Sequence, residues 1–392
     1  MHLVERVKMA VVGCGSVSQR GILPHLSQPD IGDVIELTAV VDVVEERAKA
    51  CKHMFGAKEY YTDYDEMLRK ADIDAVTIAT PIPLHFEQAV KAIEAEKHVH
   101  LNKTMTTTLE EAKRLIEARD RVGVKVVASP GTIFYPSTRR VRELISQGYV
   151  GKPYWLCDGA MWIGHEYEEF RQAGDIVRGV DPTLYYKSGG GPMYDMTVYN
   201  LHTATAIMGP VRRVTGFSGI GLKERRFKVA GEAKTVSVEM DDNTLLLLDW
   251  GNSVFGFIYG AFSEGAGGPG FFISGSEGSL RLYWYRSGHR IEVFSRRLEE
   301  RHIVEELPWK LPYVSGVHEN IEEKHVYADI MHLIDCIIND KEPIVSAEHA
   351  RHVIEIIEKG YVAAKMGETQ ELTTTFSIDW NRLTYARFMP QP

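Results

Sequence analysis

Three side chains that can exchange protons recur at helical spacing in the middle of the chain: Asp195, Tyr199 and His202. Their i, i+4 and i+7 positions place a carboxylate, a phenol and an imidazole along one face of a predicted helix. Pro192 suits the first turn of that helix. We expect Asp195 to orient a lysine or bind a hydroxyl group, Tyr199 to donate or accept a proton, and His202 to contact a substrate. The structural alternative is that Asp195 complements the helix dipole and Tyr199 packs in a core.

A glycine-rich turn follows the first predicted strand, with Gly13, Gly15 and Ser18 in the pattern Gly-x-Gly-x-x-Ser. Gly13 permits a tight turn, and Gly15 lets the backbone approach a pyrophosphate. The helix that begins near Ser18 directs its amide groups at the phosphates, and Ser16 and Val17 complete the turn. The pattern predicts a dinucleotide-binding site, and any strand–turn–helix with two glycines is the alternative.

An acidic residue, Asp42, closes the second predicted strand. A carboxylate at that position can accept hydrogen bonds from the ribose hydroxyls of an adenosine, and it repels a 2′-phosphate. The sequence therefore favours NAD over NADP as the cofactor, although Arg47 is near enough along the chain to reach a phosphate. The alternative is that Asp42 caps the helix predicted over Glu45–Phe55.

Two further predicted strands end in the polar segments Thr80-Pro81 and Asn102-Lys103. The carboxyl ends of parallel strands share one edge of a sheet, where doubly wound folds bind ligands. We expect these four residues to contact the cofactor and Lys103 to stand at the reacting centre. A lysine beside a nicotinamide in a desolvated pocket can have its pKa lowered enough to exchange a proton with a substrate hydroxyl. The alternative is a lysine that is merely solvated.

Aromatic and imidazole side chains precede the glycine run of residues 189–191 in irregular stretches: Trp162, His165 and Tyr186. Sugar rings stack on aromatic faces and need hydrogen-bond donors around their rims. These residues predict a wall of the substrate site, and ordinary core or interface packing is an equal alternative.

Histidine pairs and cysteines do not predict a metal centre. The pairs His325/His332 and His349/His352 have ligand-like spacing, but no convergent carboxylate or cysteine accompanies either pair. We interpret them as solvated helical histidines. The four cysteines lie far apart without a Cys-x-x-Cys pair, which indicates a reducing compartment.

The elements that must position these residues alternate between β-branched runs and amphipathic runs as far as residue 128, which predicts a doubly wound parallel sheet. The predicted strands are Lys8–Val12, Ile35–Val41, Ala75–Ile78, His98–Leu101 and Lys125–Ala128. The predicted helices between them are Glu45–Phe55, Asp63–Lys70, His85–Glu94 and Leu109–Arg121.

The later part of the chain begins with a predicted helix, Thr138–Gln147, and then becomes rich in strands. Thr244–Asp249 and Ser253–Tyr259 flank a predicted turn at Gly251-Asn252, and Phe271–Leu282 contains a reversal at Gly275–Gly278. Helical periodicity returns over Val326–Ile338 and Ala347–Lys365, which we expect to cover one face of a mainly antiparallel sheet. The fold class is thus α/β, with an α+β second domain.

The length and charge of the chain limit the number of domains and the kinds of partner that we expect. A chain of 392 residues predicts two domains, which we place at 1–128 for the dinucleotide and 129–392 for substrate binding and oligomerisation. The net charge of -9, with both signs interspersed, argues against a nucleic-acid partner. No apolar run approaches the ~18 residues of a membrane span, and the first residues lack a secretory pattern, so we expect a cytoplasmic protein without a membrane partner.

The chain resembles the Gfo/Idh/MocA family of glucose-fructose oxidoreductase and inositol dehydrogenase relatives. The resemblance is carried by the glycine turn, residues 61–67, the Ala79-Thr-Pro-x-x-x-His85 segment, residues 96–103, residues 189–195 and the late Gly275-x-x-Gly278. The family usually has Glu-Lys-Pro where this chain has Asn102-Lys103-Thr104, so the lysine is retained. Many members have histidine at the position of Tyr199, and some have tyrosine.

The resemblance implies hydride transfer between NAD(P) and a carbinol carbon of a sugar, cyclitol or sugar derivative, with Lys103 and Tyr199 handling the proton. It adds His85 to the expected cofactor-binding residues, and it implies a homodimer or homotetramer formed through the open sheet. Two alternatives remain. One is a glycosidase that oxidises its sugar transiently, and the other is an NAD-binding regulator whose catalysis has lapsed.

Overall fold

The computed structural model describes residues 6–168, 170–171, 175–229, 231–262, 270–285 and 288–382. Its first sheet has six parallel strands in the spatial order β3-β2-β1-β4-β5-β6. The strands are β1 (Val7–Val12), β2 (Ile35–Val41), β3 (Glu59–Tyr61), β4 (Ala75–Ile78), β5 (His98–Leu101) and β6 (Val126–Ala128). The predicted doubly wound sheet is confirmed. The short strand β3, only three residues long, was not predicted.

Helices cover both faces of this sheet, as right-handed crossovers between parallel strands require. They are α1 (Leu23–Leu26), which follows a π-helical turn at Ser18–Ile22, α2 (Glu45–Phe55), α3 (Tyr64–Lys70), α4 (His85–Glu94) and α5 (Leu109–Val122). The core on one face includes side chains of α1 and α2, and the core on the other face includes side chains of α3, α4 and α5.

The strand register brings the predicted site segments to one edge. Val12 of β1 pairs with Val41 of β2 and with Ile78 of β4, and Ile78 in turn pairs with Leu101 of β5. The residues that follow these four strands therefore lie side by side. Since β1 separates β2 from β4, the chain reverses its winding direction here, and such a switch point opens a crevice for a ligand.

The second sheet has nine strands in the order β16-β15-β14-β13-β7-β12-β11-β8-β17. Its strands are β7 (Pro153–Trp162), β8 (Arg213–Gly219), β11 (Asn243–Gly251), β12 (Val254–Phe262), β13 (Phe271–Gly275), β14 (Gly278–Tyr285), β15 (Gly288–Ser295), β16 (His302–Pro308) and β17 (Gln370–Glu371), with β9 (Glu224–Val229) and β10 (Glu232–Ser237) forming a separate hairpin. The β7–β12 pair is parallel and the other pairs are antiparallel, as the prediction of a mainly antiparallel sheet requires.

The predicted reversals lie close to their observed positions. The strands β13 and β14 turn between Gly275 and Gly278. The β11–β12 turn is displaced by one residue from the prediction, because the left-handed backbone conformations fall on Asn252 and Ser253 (φ 53° and 61°). Two positive φ angles in succession are typical of the tight turns that match strand twist.

The described residues after β6 contain four α-helices: α6 (Pro136–Ser146), α7 (Val198–Met208), α8 (Lys324–Ile338) and α9 (Ala347–Met366). Side chains of α6, α7 and α9 form a core against one face of the nine-stranded sheet. The expectation that α8 covers the same face is wrong. Its apolar residues pack on the parallel sheet beside α1 and α2, because the crossover helices leave that face uncovered next to β5 and β6.

Candidate active site

A cavity of about 980 Å³ opens at the carboxyl edge of the parallel sheet and extends to segments of the later part of the chain, among them the β9–β10 hairpin. Its first wall holds the glycine turn, in which Gly13 has a φ of +91°. A β-carbon on Gly13 would lie 2.8 Å from the carbonyl oxygen of Ala79, so only glycine fits this close approach. Gly15, Ser16 and Val17 also line the cavity. This turn fits the pyrophosphate of a dinucleotide, since its backbone can face a ligand closely.

Asp42 follows β2 and lines the same cavity. One carboxylate oxygen accepts a hydrogen bond from the Cys14 backbone (3.0 Å), and the other accepts from Val44 N (2.9 Å) and from Arg47 Nη1 (3.1 Å). Asp42 does not cap α2, because Val44 directly precedes that helix and no side-chain capping bond is present there. The placement of Asp42 is therefore suited to the adenosine ribose.

The opposite wall comes from the later part of the chain. Residues 176 and 179–181, together with the β9–β10 hairpin, line the cavity across from the glycine turn. The Arg47 guanidinium donates to the carbonyl oxygens of Ile176 (2.9 Å) and Val177 (3.2 Å), and Gln19 donates to the Val177 carbonyl (2.8 Å). These bonds tie the second wall to the parallel sheet at the end of the cavity where Asp42 lies.

The strand-end residues Thr80, Pro81 and Asn102 line the cavity, as expected. His85 does not line it. Its ring nitrogens each lie 2.8 Å from a carbonyl oxygen, of Thr80 and of Thr104, so the buried imidazole ties together the loops after β4 and β5. His85 thus supports these two loops from outside the cavity wall.

Lys103 and Asp195 meet on the cavity wall. Lys103 Nζ donates to Asp195 Oδ1 (2.5 Å) and to the Asp195 backbone carbonyl (2.6 Å). The Asp195 side chain is 1% exposed and that of Lys103 15% exposed. The peptide bond between Lys103 and Thr104 is cis.

The expectation of a lowered lysine pKa is wrong for this arrangement. Burial favours the neutral amine, but the Asp195 carboxylate outweighs burial and raises the pKa of Lys103 above its ordinary value. Burial opposes ionisation of Asp195 as well, yet the Lys103 and His165 charges hold its pKa below the usual range. The pair is therefore an ammonium and a carboxylate at neutral pH.

Tyr199 lies behind this pair, and the cavity wall does not include it. Lys103 Nζ lies 5.5 Å from the centre of the Tyr199 ring, and the Tyr199 hydroxyl lies 2.9 Å from His325 Nε2. Burial lowers the pKa of His325 and, together with nearby acidic groups, raises that of Tyr199. Both groups therefore stay neutral at neutral pH, and the imidazole can accept a hydrogen bond from the phenol hydroxyl.

His202 does not share a face with Asp195 as expected. Residues Met193–Thr197 form a π-helical turn before α7, so the angular spacing of an ideal α-helix does not extend back to Asp195. The His202 ring packs 4.5 Å from that of His349, and burial lowers its pKa to about 3. This imidazole belongs to a core between α7 and α9, away from the cavity.

Of the three predicted wall residues, none lines the cavity. Trp162 ends β7 with 38% of its surface exposed, and Tyr186 is buried, with its hydroxyl bonded to Glu166 and to the His165 backbone. His165 contacts Asp195 instead, as described below. The neighbouring Tyr185 lines the cavity together with Arg171.

Sequence reasoning missed Arg171 and His325 as site residues. Neither follows a strand of the parallel sheet or stands at helical spacing from Asp195, so no local signal marks them. The prediction that the paired histidines are solvated is wrong: His332, His349 and His352 are buried and His325 is half-buried. Within the described residues, no group of three or more histidine, cysteine or acidic side chains is arranged to hold a metal ion.

A parallel sheet with a glycine turn and an acidic second-strand end, facing a buried lysine–aspartate pair, defines a two-domain Rossmann-type oxidoreductase. The chain belongs to the Gfo/Idh/MocA family. The family described as "Oxidoreductase family, NAD-binding Rossmann fold" matches residues 7–129, and the "GFO/IDH/MocA C-terminal domain" matches residues 138–281.

Named relatives act on sugars and polyols. D-apiose dehydrogenase of Paraburkholderia graminis is 26% identical over 374 residues, which cover 94% of this chain and 90% of that enzyme. Myo-inositol 2-dehydrogenase of Thermotoga maritima is 25% identical, over 59% of this chain and 64% of the relative. Among solved structures, aldose-aldose oxidoreductase from Caulobacter crescentus shares the fold with a TM-score of 0.73 at 20% identity, over 94% of this chain and 100% of the other. No helix of the described segments is long and apolar enough to cross a bilayer.

Proposed function

We propose that this protein is an NAD(P)-dependent oxidoreductase acting on a carbinol carbon of a sugar, cyclitol or sugar derivative. The observation that carries the proposal is the Lys103–Asp195 pair, which lies on the wall of the cavity that also contains the glycine turn. The bound dinucleotide supplies or accepts the hydride. The printed names of the relatives, with apiose and inositol among their substrates, support the choice of substrate class.

In this proposal, Lys103 holds the proton that accompanies the redox step. As an ammonium, it donates a hydrogen bond to the substrate oxygen and delivers a proton when a ketone is reduced. For alcohol oxidation, the Lys103 ammonium must first lose a proton to become the amine that accepts one from the substrate. The raised pKa of Lys103 opposes this loss. We therefore expect reduction to be active at neutral pH and the oxidation rate to rise toward alkaline pH, which pH profiles of kcat in both directions will measure.

Replacement of Lys103 tests the proposed chemistry directly. We expect Lys103→Met to lower kcat/KM on the best sugar or polyol by about 10²–10⁴-fold, because the proton donor is lost. The measurement is nicotinamide absorbance on a panel of sugars and cyclitols, with NADH binding followed separately by fluorescence. Lys70→Met, on the exposed surface of α3, is the matched control. Unchanged turnover in Lys103→Met would remove Lys103 from the reaction, and tight NAD binding without turnover in the wild type would favour a lapsed regulator.

NAD is the cofactor we propose for this site. The Asp42 carboxylate faces the cavity, and Arg47 is already engaged by Asp42 and by the carbonyls of Ile176 and Val177. A 2′-phosphate would meet the carboxylate and would have to compete for the guanidinium. Solved neighbours bind either cofactor, NAD+ in an Agrobacterium radiobacter oxidoreductase and NADP in the 3-ketoreductase KijD10 of Actinomadura kijaniata.

Cofactor titration tests this preference. The wild type should bind NADH more tightly than NADPH, and Asp42→Asn should shift the ratio of the two dissociation constants toward NADPH by about tenfold, because one repulsive charge is removed. Asp72→Asn, which alters an exposed carboxylate paired with Lys8, serves as control. Tighter binding of NADPH by the wild type would contradict the proposal.

A further inference from the structure

His165 lies between two carboxylates. Its Nε2 is 2.5 Å from Asp195 Oδ2, and its Nδ1 is 2.9 Å from Glu168 Oε1. The imidazole side chain is 8% exposed. Each ring nitrogen therefore has a carboxylate oxygen at hydrogen-bonding distance, with little access to water.

Each carboxylate also has a cation of its own. Asp195 accepts from Lys103 Nζ through its other oxygen (2.5 Å), and Glu168 accepts from Arg171 Nε through its other oxygen (2.5 Å). A carboxylate held ionised in this way can only accept hydrogen bonds. Both nitrogens of His165 must then donate, and an imidazole that donates twice carries a positive charge.

The aromatic ring stacked on His165 favours the same charge state. Tyr185 stacks on the imidazole with 3.8 Å between ring centres, and Phe262 meets it edge-on at 5.8 Å. Aromatic faces attract cations. Burial lowers the pKa of His165, but Asp195, Tyr185 and Glu168 outweigh it and raise that pKa to about 10.

We propose that His165 is a charged positioning residue, which as an imidazolium bridges Glu168 and Asp195 and thereby fixes the carboxylate that holds Lys103. It stands behind Tyr185 and is not among the residues of the cavity wall, so it does not contact the substrate. This inference rests on the proposed function of Lys103. It replaces the expectation that His165 binds substrate.

Two positive charges share Asp195 in this arrangement. Because Lys103 and His165 repel one another, the imidazolium eases the loss of a proton from Lys103. Neutralising His165 leaves the whole carboxylate charge to Lys103 and raises its pKa further. The pH dependence of alcohol oxidation therefore reports on the charge of His165.

Nitrogen-15 NMR of the full-length protein tests the charge without turnover. We expect both ring nitrogens of His165 to be protonated at pH 8, with the signals assigned by their loss in His165→Gln; His53→Gln, on the exposed side of α2, controls the assignment. A singly protonated imidazole at pH 8 would overturn the proposal. This measurement is independent of the proposed function, whose own failure would appear as a wild type that turns over no sugar or polyol.

The pH profile of His165→Gln tests the positioning role. Glutamine can still donate to Asp195 but carries no charge, so the oxidation limb should move to higher pH by about one unit, with kcat about tenfold lower at neutral pH. KM should change less than twofold, because the side chain does not touch substrate. If kcat falls but the pH at which the oxidation rate rises stays the same, His165 has a merely structural role and the proposal is overturned.

If His165→Gln does not fold, Glu168→Gln provides the second test. This variant keeps the shape of the side chain and removes one of the two carboxylate charges facing His165. The pH at which His165 loses its proton, followed by NMR, should fall by at least one unit. An unchanged His165 titration would contradict the proposal.

Discussion

The hydroxyl of Tyr199 and the imidazole of His325 form a hydrogen-bonded pair. The two residues belong to different helices and lie 126 residues apart in the chain. Because the Tyr199 ring lies against Lys103 and outside the cavity wall, we predict that Tyr199 acts on the substrate proton through that lysine and does not contact the substrate. His325 would then hold the phenol in one orientation by accepting its hydrogen bond, since a neutral imidazole has one acceptor nitrogen.

Removal of the Tyr199 hydroxyl tests that role. Tyr199→Phe keeps the ring against Lys103 but abolishes the bond to His325, and we expect kcat to fall at least tenfold if the phenol acts on the substrate proton through Lys103. His325→Gln, which preserves a hydrogen-bond partner for the hydroxyl, should lower kcat less. Steady-state kinetics in light and heavy water measure both effects. Equal and small effects of the two variants would assign Tyr199 to packing beside Lys103 instead of proton transfer.

At the scale of elements, α8 joins the two parts of the chain through one buried carboxylate. Asp329 Oδ2 accepts hydrogen bonds from Ser129 Oγ (2.5 Å) and from Gly131 N (3.0 Å), directly after β6. Its other oxygen has no hydrogen-bond partner among the residues the structure describes. Burial raises the pKa of Asp329 to about 7.

The raised pKa predicts a pH-dependent contribution to stability. The folded chain retains the Asp329 proton up to about pH 7 and the unfolded chain only to about pH 4, so this contribution is lost as pH rises through that window. Asp329→Asn removes the titration, and the free energy of unfolding of the variant relative to the wild type should rise between pH 4 and pH 7 and stay constant above pH 7. The expected slope is on the order of 1.4 kcal/mol per pH unit within the window. Urea unfolding at several pH values measures it, and a constant difference would show that Asp329 does not titrate there.

At the scale of the whole molecule, the nine-stranded sheet exposes apolar side chains on the face opposite its helices. Phe217, Leu247, Phe255 and Trp155 stand on neighbouring strands with 39–76% of their surfaces exposed. A continuous exposed patch of this kind marks an interaction surface. Together with the family resemblance, it leads us to predict a homodimer or homotetramer formed through this face.

Charges placed on the open face test the predicted assembly. Leu247→Glu combined with Phe255→Glu should convert the oligomer to a monomer, because carboxylates would be buried unpaired at the interface. Light scattering coupled to size-exclusion chromatography gives the mass. Met54→Glu, which alters an exposed apolar residue on α2, should leave the assembly intact. A wild type that is already monomeric at micromolar concentration would contradict the prediction.

The sequence by itself determined the parallel sheet, most helix boundaries and the edge where the site lies. These features depend on local causes: periodicity, glycine conformations and the rule that parallel strands end together. Gly13, Asp42, Thr80 and Lys103 could be placed at the cavity because each lies one or two residues after the end of a parallel strand. The domain boundaries at residue 128 and the individual catalytic roles stay predictions.

Only the tertiary structure decided what surrounds Lys103. Asp195 lies 92 residues after Lys103 in the chain, and His165 lies 30 residues before Asp195. Burial alone would lower the lysine pKa, and the contact with a carboxylate reverses that direction, so the charge of the central residue depends on partners that sequence spacing does not identify. The same reason explains α8: its amphipathic pattern predicts a buried face, but the uncovered surface of the parallel sheet decided which core it joins.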